Sequence, residues 1–512
     1  MFRLYNQNQT MLLPPSLVEC LPDDHLCFTI NDIVENLDTS FIENSYQDNG
    51  APAYNPKMLL KIIFYAYSQG IRSSRKIENS LTENIAFRYL AANQHLDNGT
   101  INLFRQNHLK ELPTIFAQIV ILASSLGLAD FSSISLDGTK IKANASKKNL
   151  FNKEEIKKIT DKMKEVLSEA ETIDKEEDKR FAEKRGYNQI PEDLIDAKIR
   201  KAKIKKLQNK LNKLTEASQE IDLKQKKAQR LSQKETDKTN NQTSNTTDPE
   251  SSLMKMKDSS FKMAYNCQFT TANQFISAYT VNNDPSDTNS LPEMIEKTEK
   301  TTQTKIKQTK ADSAYFTKEN LNFLESNSTE AFIPDTLKES EEKKERENQV
   351  SRFNRHRFQY NQETDQFTCP EGKVLKLIKI NKDSLSREYR CNDCHECAFK
   401  KLCTKGQARY LQVDFELDKL RNKMRQKLNS PEGKKTYLER LSEIEPVIGN
   451  VKHNLGFTEF SSRGQAMAQV ELGLVSVVHN LIKIVYGLKR NEVKRKEVNW
   501  SNLMKLEKQT MI

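Results

Sequence analysis

The sequence contains no uncharged apolar run of the roughly 18–20 residues that a membrane-crossing helix requires. Ile115–Leu128 is too short, and the apolar stretch from Leu472 to Leu488 is interrupted by Lys483. The opening residues, MFRLYNQNQTMLLPPS, lack the basic, apolar and small-residue succession of a secretory leader. A disulfide framework is also missing: eight cysteines in 512 residues are too few and too unevenly placed for a stapled secreted scaffold. These absences set the expectation of a chain with no membrane segment. Apolar residues are scarce at 36%, against 29% charged. Spread evenly, that balance would signal disorder, but the charge is concentrated. Residues 151–240 hold 24 Lys and Arg and 19 Asp and Glu, and the remainder has a globular composition. The length suggests two to four modules at about 100–200 residues each. A net charge of +11 points to an anionic partner, of which nucleic acid is the commonest.

What is present falls into blocks. Residues 1–130 read as helical. Asn55–Gly70 carries a helical apolar pattern opened by Asn-Pro and closed by Gly. The next segment opens at Ser74, three residues before Ile77 and four before Glu78, close to a capping box. A third helical element spans 100–128. The Gly turn followed by a helix bearing Arg72, Arg75 and Lys76 fits a helix-turn-helix DNA reader, and equally a small helical bundle.

At Phe131 the pattern becomes an alternation through Ile134, Leu136, Thr139 and Ile141, the mark of a strand, and Asp137-Gly138 within it carries a hairpin-turn signal. A charged block, 151–252, follows. Ile204, Leu207, Leu211, Leu214, Ser218 and Ile221 recur at three-and-four spacing, a coiled-coil seam or one arm of a helical hairpin turning near Gly186 and Pro191. Residues 236–252 read as a polar linker. Strand and helix signals alternate through 253–335, and together with 131–150 they describe a mixed α/β sheet. Residues 336–430 form a polar Cys-rich insertion, 431–488 are helical again, and 489–512 form a basic tail with the lone Trp500. That tail suits either a phosphate backbone or a solvated helix.

Three acids stand at informative places: Asp137 at the end of the first predicted strand, Asp312 at the end of a later strand, and Glu445 on a C-terminal helix. Hard anionic oxygens gathered from distant segments are what two-metal phosphoryl transfer needs. Taken singly, the two Asp residues also read as turn residues and Glu445 as a solvated helical one. Glu471, at the head of an apolar helix, is the rival third acid. Cys391, Cys394, Cys397 and Cys403, with Cys369 upstream and His395 inside the group, lie at zinc-ligand spacing. Structural Zn2+ would stabilise an insertion expected to lack a core of its own. Free cysteines and a redox role are the other readings.

The wording around these residues adds a further signal. LDGTKIKANAS, MAYNCQ, ADSAYFTKENL, IEPVIGNVKHNLGFTEFSSRG and ELGLVSVVHNLIKI, in that order, resemble the IS1182 group of insertion-sequence transposases, part of the wider IS4/IS5-like assemblage of DDE enzymes. AYNPKMLLKIIFYAYSQGIRSSRKIENS resembles that family's N-terminal helical domain, so the resemblance covers nearly the whole chain. It implies an α/β fold with an RNase H-like mixed-sheet core, an N-terminal helical DNA-binding domain, a charged helical insertion and a Cys-rich insertion. It implies a catalytic triad of Asp137, Asp312 and Glu445 holding Mg2+ or Mn2+. Lys452 matches the family's basic position; seven residues at about 100° each return it to the helix face of Glu445, within reach of a DNA phosphate. Arg440 and Tyr437 resemble the Arg and Tyr that precede the Glu, although the four-residue gap from Arg to Glu is one longer than in the wider assemblage. Implied partners are double-stranded DNA, as transposon ends and target, and a second copy in a homodimer or higher synaptic assembly. The implied location is cytoplasmic and nucleoid-associated in a bacterium. A catalytically inactive or co-opted DNA-binding protein of the same fold is the alternative, and a coiled-coil interaction protein with a zinc module is a third reading.

Overall fold

The computed structural model describes residues 16–46, 52–164, 205–206, 208–223, 243–335, 352–381 and 386–503. In the N-terminal helical part, helix Pro56–Ser68 starts where the Asn55 side chain accepts from the amides of Lys57 and Met58, and the chain leaves it through Gly70 at φ +68°. Every residue from Met58 to Tyr67 is buried, because this helix is packed between helices Leu26–Asn36 and Gln465–Arg490. Helix Ser74–Glu83 departs from the capping-box expectation: Ser73 is the cap residue, without a side-chain cap bond, and Ser74 is buried. The 100–128 element divides in two, Asn98–His108 and Leu112–Ser125, with Pro113 in the first turn of the second helix. Arg72 is engaged in packing: its guanidinium donates to the carbonyls of Gly456 and Glu459 and lies over the Phe457 ring. Arg75 and Lys76 stay exposed.

The mixed α/β expectation is met by a six-stranded sheet: β1 (Ser133–Lys142), β2 (Ser252–Lys255), β3 (Phe261–Ala272), β4 (Phe275–Asn282), β5 (Gln308–Ala311) and β6 (Glu330–Phe332). β3 pairs antiparallel with β1 along one edge and with β4 and β2 along the other; β1, β5 and β6 are parallel neighbours. Helices Leu291–Thr302 and Lys318–Ser326 make the two crossovers into β5 and β6. The expected turn at Asp137-Gly138 does not form. β1 runs straight through it, Asp137 opposite Phe269 and Gly138 opposite Gln268. Pairing along both edges of β1 outweighs the local preference of the dipeptide. Helix Gln465–Arg490 is long and apolar enough to cross a membrane by length and composition, yet 72% of its most apolar window is buried inside the protein, where it packs on β4 and helix Leu112–Ser125.

The insertions differ from expectation in instructive ways. Residues 243–252 are not a linker. Thr243–Asn245 pairs with Leu150–Asn152, and Asp248, fully buried, accepts from the Tyr265 hydroxyl and the Gly464 amide. In the charged excursion, Leu214, Ala217 and Ile221 form a small core with Ile156 and Met163, with Ala217 rather than Ser218 turned inward. Ile204, Leu207, Gly186 and Pro191 lie outside the described residues. The Cys-rich insertion does have a core. Five antiparallel strands between Gln359 and Val413 enclose Phe358, Phe367, Leu375, Tyr389, Leu411 and Val413, so aromatic burial holds it together. The basic tail is docked as far as it is described: Arg495 pairs with Asp32 and lies over Phe28, and Trp500 is buried.

Candidate active site

The parallel register of β1 and β5 assembles the site. Ser135 lies beside Lys310 and Leu136 beside Ala311; the residues that follow are Asp137, within β1, and Asp312, just past the end of β5. Strand alternation puts both aspartates on the same face as Ser135 and Lys310. Helix Pro431–Glu443 packs against β5 and β6 and delivers a complementary charge to each step. Glu443 meets Lys310 at 2.9 Å and accepts from the Ser135 hydroxyl, while Arg440, three residues earlier, lies 3.0 Å from Asp137. The Asp312 carboxylate accepts from the Ala314 amide at 2.9 Å, capping a short 3-10 turn.

A third carboxylate, Asp287, joins them, and sequence reading missed it. It follows β4 in the loop NNDPSDT. Its Oδ1 accepts from the amides of Asn266 at 2.6 Å and Gln268 at 2.5 Å. Gln268 is fixed in turn by the Tyr315 hydroxyl, which donates to its Oε1. Gly138 makes room for this: a Cβ there would stand 2.4 Å from both Asp287 Oδ1 and Gln268 Nε2. The available signal was an acid just past a strand end, the same signal that singled out Asp312.

These charges perturb one another. Burial pushes the Asp137 carboxyl up to about 6, the Arg440 guanidinium opposes that rise, and the Asp312 and Asp287 charges add to it. The Tyr315 phenol is driven well above its ordinary range by burial, with Asp287, Asp137 and Asp312 contributing. Arg440 thus offsets only part of what burial and like charge impose on Asp137. Carboxylate oxygens in this state match the donor chemistry of a hard divalent cation. As placed, however, no group of three or more His, Cys, Asp or Glu among the described residues is gathered closely enough to hold a metal ion.

The other expected residues are dispersed around this pair. Glu445 opens the short helix Glu445–Gly449 and is exposed; the acid turned onto the sheet is Glu443. Lys452 lies in a π-helical turn, Asn450–Asn454, and its ammonium donates to the Lys140 carbonyl at 3.1 Å. Tyr437 packs half-buried against the main core. The rival Glu471 has its carboxylate taken up by Ser461 and Ser462, whose amides and hydroxyl donate to it. In the insertion, the amides of Lys373 and Arg409 point at the sulfurs of Cys369 and Cys394, at 3.3 and 3.4 Å. Burial pushes the Cys391 thiol up to about 12, with Cys394 and Cys369 adding to the shift. His395 is exposed.

Comparison with known families finds two matches, one towards each end. Residues 368–485 match a transposase DDE domain, and residues 15–107 match a transposase domain, DUF772. The first stretch includes Arg440, Glu445, Lys452 and the five clustered cysteines; the second includes the buried Pro56–Ser68 helix. No curated protein and no solved structure matched the chain. The two matches support an insertion-sequence transposase.

Proposed function

We propose that this protein is a DDE transposase that binds the terminal inverted repeats of its own insertion sequence and catalyses DNA cleavage and strand transfer. The observation that carries the reading is that the parallel pair Leu136 and Ala311 is followed by Asp137 on one strand and, just past the end of the other, by Asp312, whose charge adds to the rise in the Asp137 pKa. The strand order β4-β3-β1-β5-β6, with its antiparallel and then parallel pairs, supports an RNase H-like core.

In this reading Asp137, Asp312 and Glu445 would hold Mg2+ or Mn2+. A bound divalent ion would supply Lewis-acid stabilisation of charge on the phosphoryl oxygens. The chain's own residues prepare for this: Arg440 holds the Asp137 carboxylate in place and partly compensates its charge. Tyr315 and Gln268 fix Asp287 over Gly138, and Lys452 supplies positive charge beyond that edge. The reaction is hydrolysis of a phosphodiester at the element's end, followed by attack of the freed 3′-hydroxyl on target DNA, one P–O bond forming as another breaks. The N-terminal helices would read the repeats, and two ends would be joined by a dimer or higher assembly. The clustered cysteines, Cys369 with Cys391, Cys394, Cys397 and Cys403, would hold a structural Zn2+ through four of their sulfurs, as their zinc-ligand spacing allows; elemental analysis of the purified protein tests this.

The functional test incubates purified protein with DNA bearing the terminal repeats and Mg2+. Wild type should cleave at the repeat ends, and Asp137→Asn, Asp312→Asn and Glu445→Gln should each reduce cleavage by about 10²-fold or more. Cleavage that survives in Asp137→Asn sinks the assignment. Survival only in Glu445→Gln would move the third acid to Asp287.

A further inference from the structure

Beside the carboxylates lies a groove of about 660 Å³, walled by β1, the turn joining β2 to β3, and the π-helical turn. Its inner end is formed by Gly138, Asn266 and Asp287, so it opens directly onto the site. Two of its lysines are neutralised locally, Lys142 by Glu459 at 2.9 Å and Lys262 by Asp258 at 3.1 Å. Four others, Lys140, Lys255, Lys257 and Lys452, have no carboxylate partner among the described residues. Two of them are instead anchored on main-chain carbonyls, the Lys452 ammonium on Lys140 and the Lys140 ammonium on Lys255 at 3.3 Å. The three walls are thereby tied together by cations that remain uncompensated. Burial, and then repulsion from Lys257, lowers the pKa of Lys452, a strain that an anion seated between them would relieve. At the inner end the Asn266 Oδ1 is buried without a hydrogen-bond partner.

We infer that this groove seats the phosphodiester backbone of double-stranded DNA next to the bond to be cut, an assignment that rests on the transposase reading. Two features select backbone over bases. Uncompensated lysines displace the counterions condensed on the duplex phosphates. No Phe, Tyr or Trp lines the groove and His453 supplies a single ring, so it lacks the succession of aromatic rings on which unpaired strands stack. The groove also gives the turn Lys255–Ser260 a purpose. Its backbone doubles back through Ser259 at φ +61°, and it presents Lys255 and Lys257, both exposed, opposite Lys452.

The test uses the full chain and fluorescence anisotropy on a labelled duplex in EDTA, across roughly 50–200 mM salt. Wild type should lose affinity steeply with salt. The double variant Lys255→Ala/Lys257→Ala should bind more weakly, with a log–log slope shallower by about 0.9 per lost phosphate contact, or nearly 2 in all. Lys255→Arg/Lys257→Arg should restore the slope, and Lys157→Ala/Lys158→Ala, on the exposed face of the charged excursion, should leave it unchanged. An unchanged slope in the alanine variant overturns the proposal, and so does tighter binding of a single strand that the alanine variant retains. Groove-dependent duplex binding without Mg2+-dependent cleavage in the wild type would leave the groove standing and sink the transposase reading instead. Cleavage that is undiminished in the alanine variant, with the slope unchanged, would do the reverse.

Discussion

Replacing Asp137 by Asn removes a charge and leaves the shape of the side chain nearly intact, so it isolates what that charge costs the folded protein. The Asp137 carboxyl titrates at about 6 in the fold against an ordinary 3.8. A shift of roughly two units corresponds to about 3 kcal/mol of stability at most. Its sign is unfavourable. Below about pH 4 the group is protonated in both folded and unfolded chains and costs nothing. Between about pH 4 and 6 only the unfolded chain ionises, so stability falls as pH rises. Above about pH 6 the full penalty persists. The attraction of Arg440 at 3.0 Å is already contained in that value, and Arg440 faces a neutral group in the Asn protein just as it does in the protonated wild type. Asp137→Asn should therefore be more stable than wild type by about 2–3 kcal/mol near pH 8, a gain that shrinks to nothing near pH 4.

The assay compares urea-unfolding midpoints of the two proteins in EDTA across that pH range. The difference between them is the informative quantity, because His479 imposes an opposite trend on both. A gain that does not vary with pH, or an Asn variant less stable than wild type near pH 8, would refute the reasoning. Mg2+ should stabilise wild type and leave the Asn protein nearly unmoved, since only a folded state that binds the ion gains from it.

Two further outcomes follow from single sites. Gly138→Ala places a Cβ 2.4 Å from Asp287 Oδ1 and Gln268 Nε2, so Asp287 must move. Cleavage should fall sharply while the melting temperature drops by the equivalent of only about 1–3 kcal/mol. His479 is buried and neutral: Nδ1 accepts from Asn450 at 2.9 Å, Nε2 bonds the Gln274 carbonyl at 2.8 Å, and burial pulls its pKa down to about 4 from 6.5. A folded pKa lowered in a base means stability lost as pH falls from about 6.5 to about 4, by up to about 3 kcal/mol. In His479→Gln that acid-side slope should disappear from the unfolding midpoint.

The sequence made legible whatever depends on local periodicity. The alternation through Ile134, Leu136 and Ile141 announced β1, and Asn-Pro and Gly bracketed the Pro56–Ser68 helix. Failures came where distant partners decide. Asp137-Gly138 has the composition of a turn, and its pairing with Phe269 and Gln268 of β3 holds it extended. Residues 243–252 look like a linker because they are polar. They are held by hydrogen bonds among themselves and from Tyr265 and Gly464 to Asp248 Oδ1, which composition cannot reveal. The Cys-rich insertion looked coreless because its aromatic residues are spread over separate strands. Asp287 escaped notice because Asn266 and Gln268, which hold it, lie on β3, and the strand beneath it is β1.

The two steps of the β1–β5 register explain why this particular place, rather than any other acid-bearing strand end, becomes the site. At the first step the cation Lys310, almost fully buried, is met by Glu443 at 2.9 Å, with Glu439 at 3.7 Å. A buried charge with carboxylates this close is compensated, and such a pair fixes the position of the helix on the sheet more than it adds stability. At the second step the signs invert. The same helix, one turn earlier, presents Arg440 to Asp137, and here burial together with Asp312 and Asp287 outweighs the guanidinium. The helix is thus positioned by a balanced contact and carries its Arg to an unbalanced one. An unbalanced negative charge held on rigid strands is costly in isolation and useful only if a cation joins it. The Glu443–Lys310 contact allows that imbalance to persist, so Lys310→Met should free the helix end, with Arg440 moving away from Asp137. The consequence to measure is the acid-to-neutral stability difference between wild type and Asp137→Asn in a Lys310→Met background. It should change if the contact positions Arg440, and stay as it was if Arg440 is held by Asp137 alone.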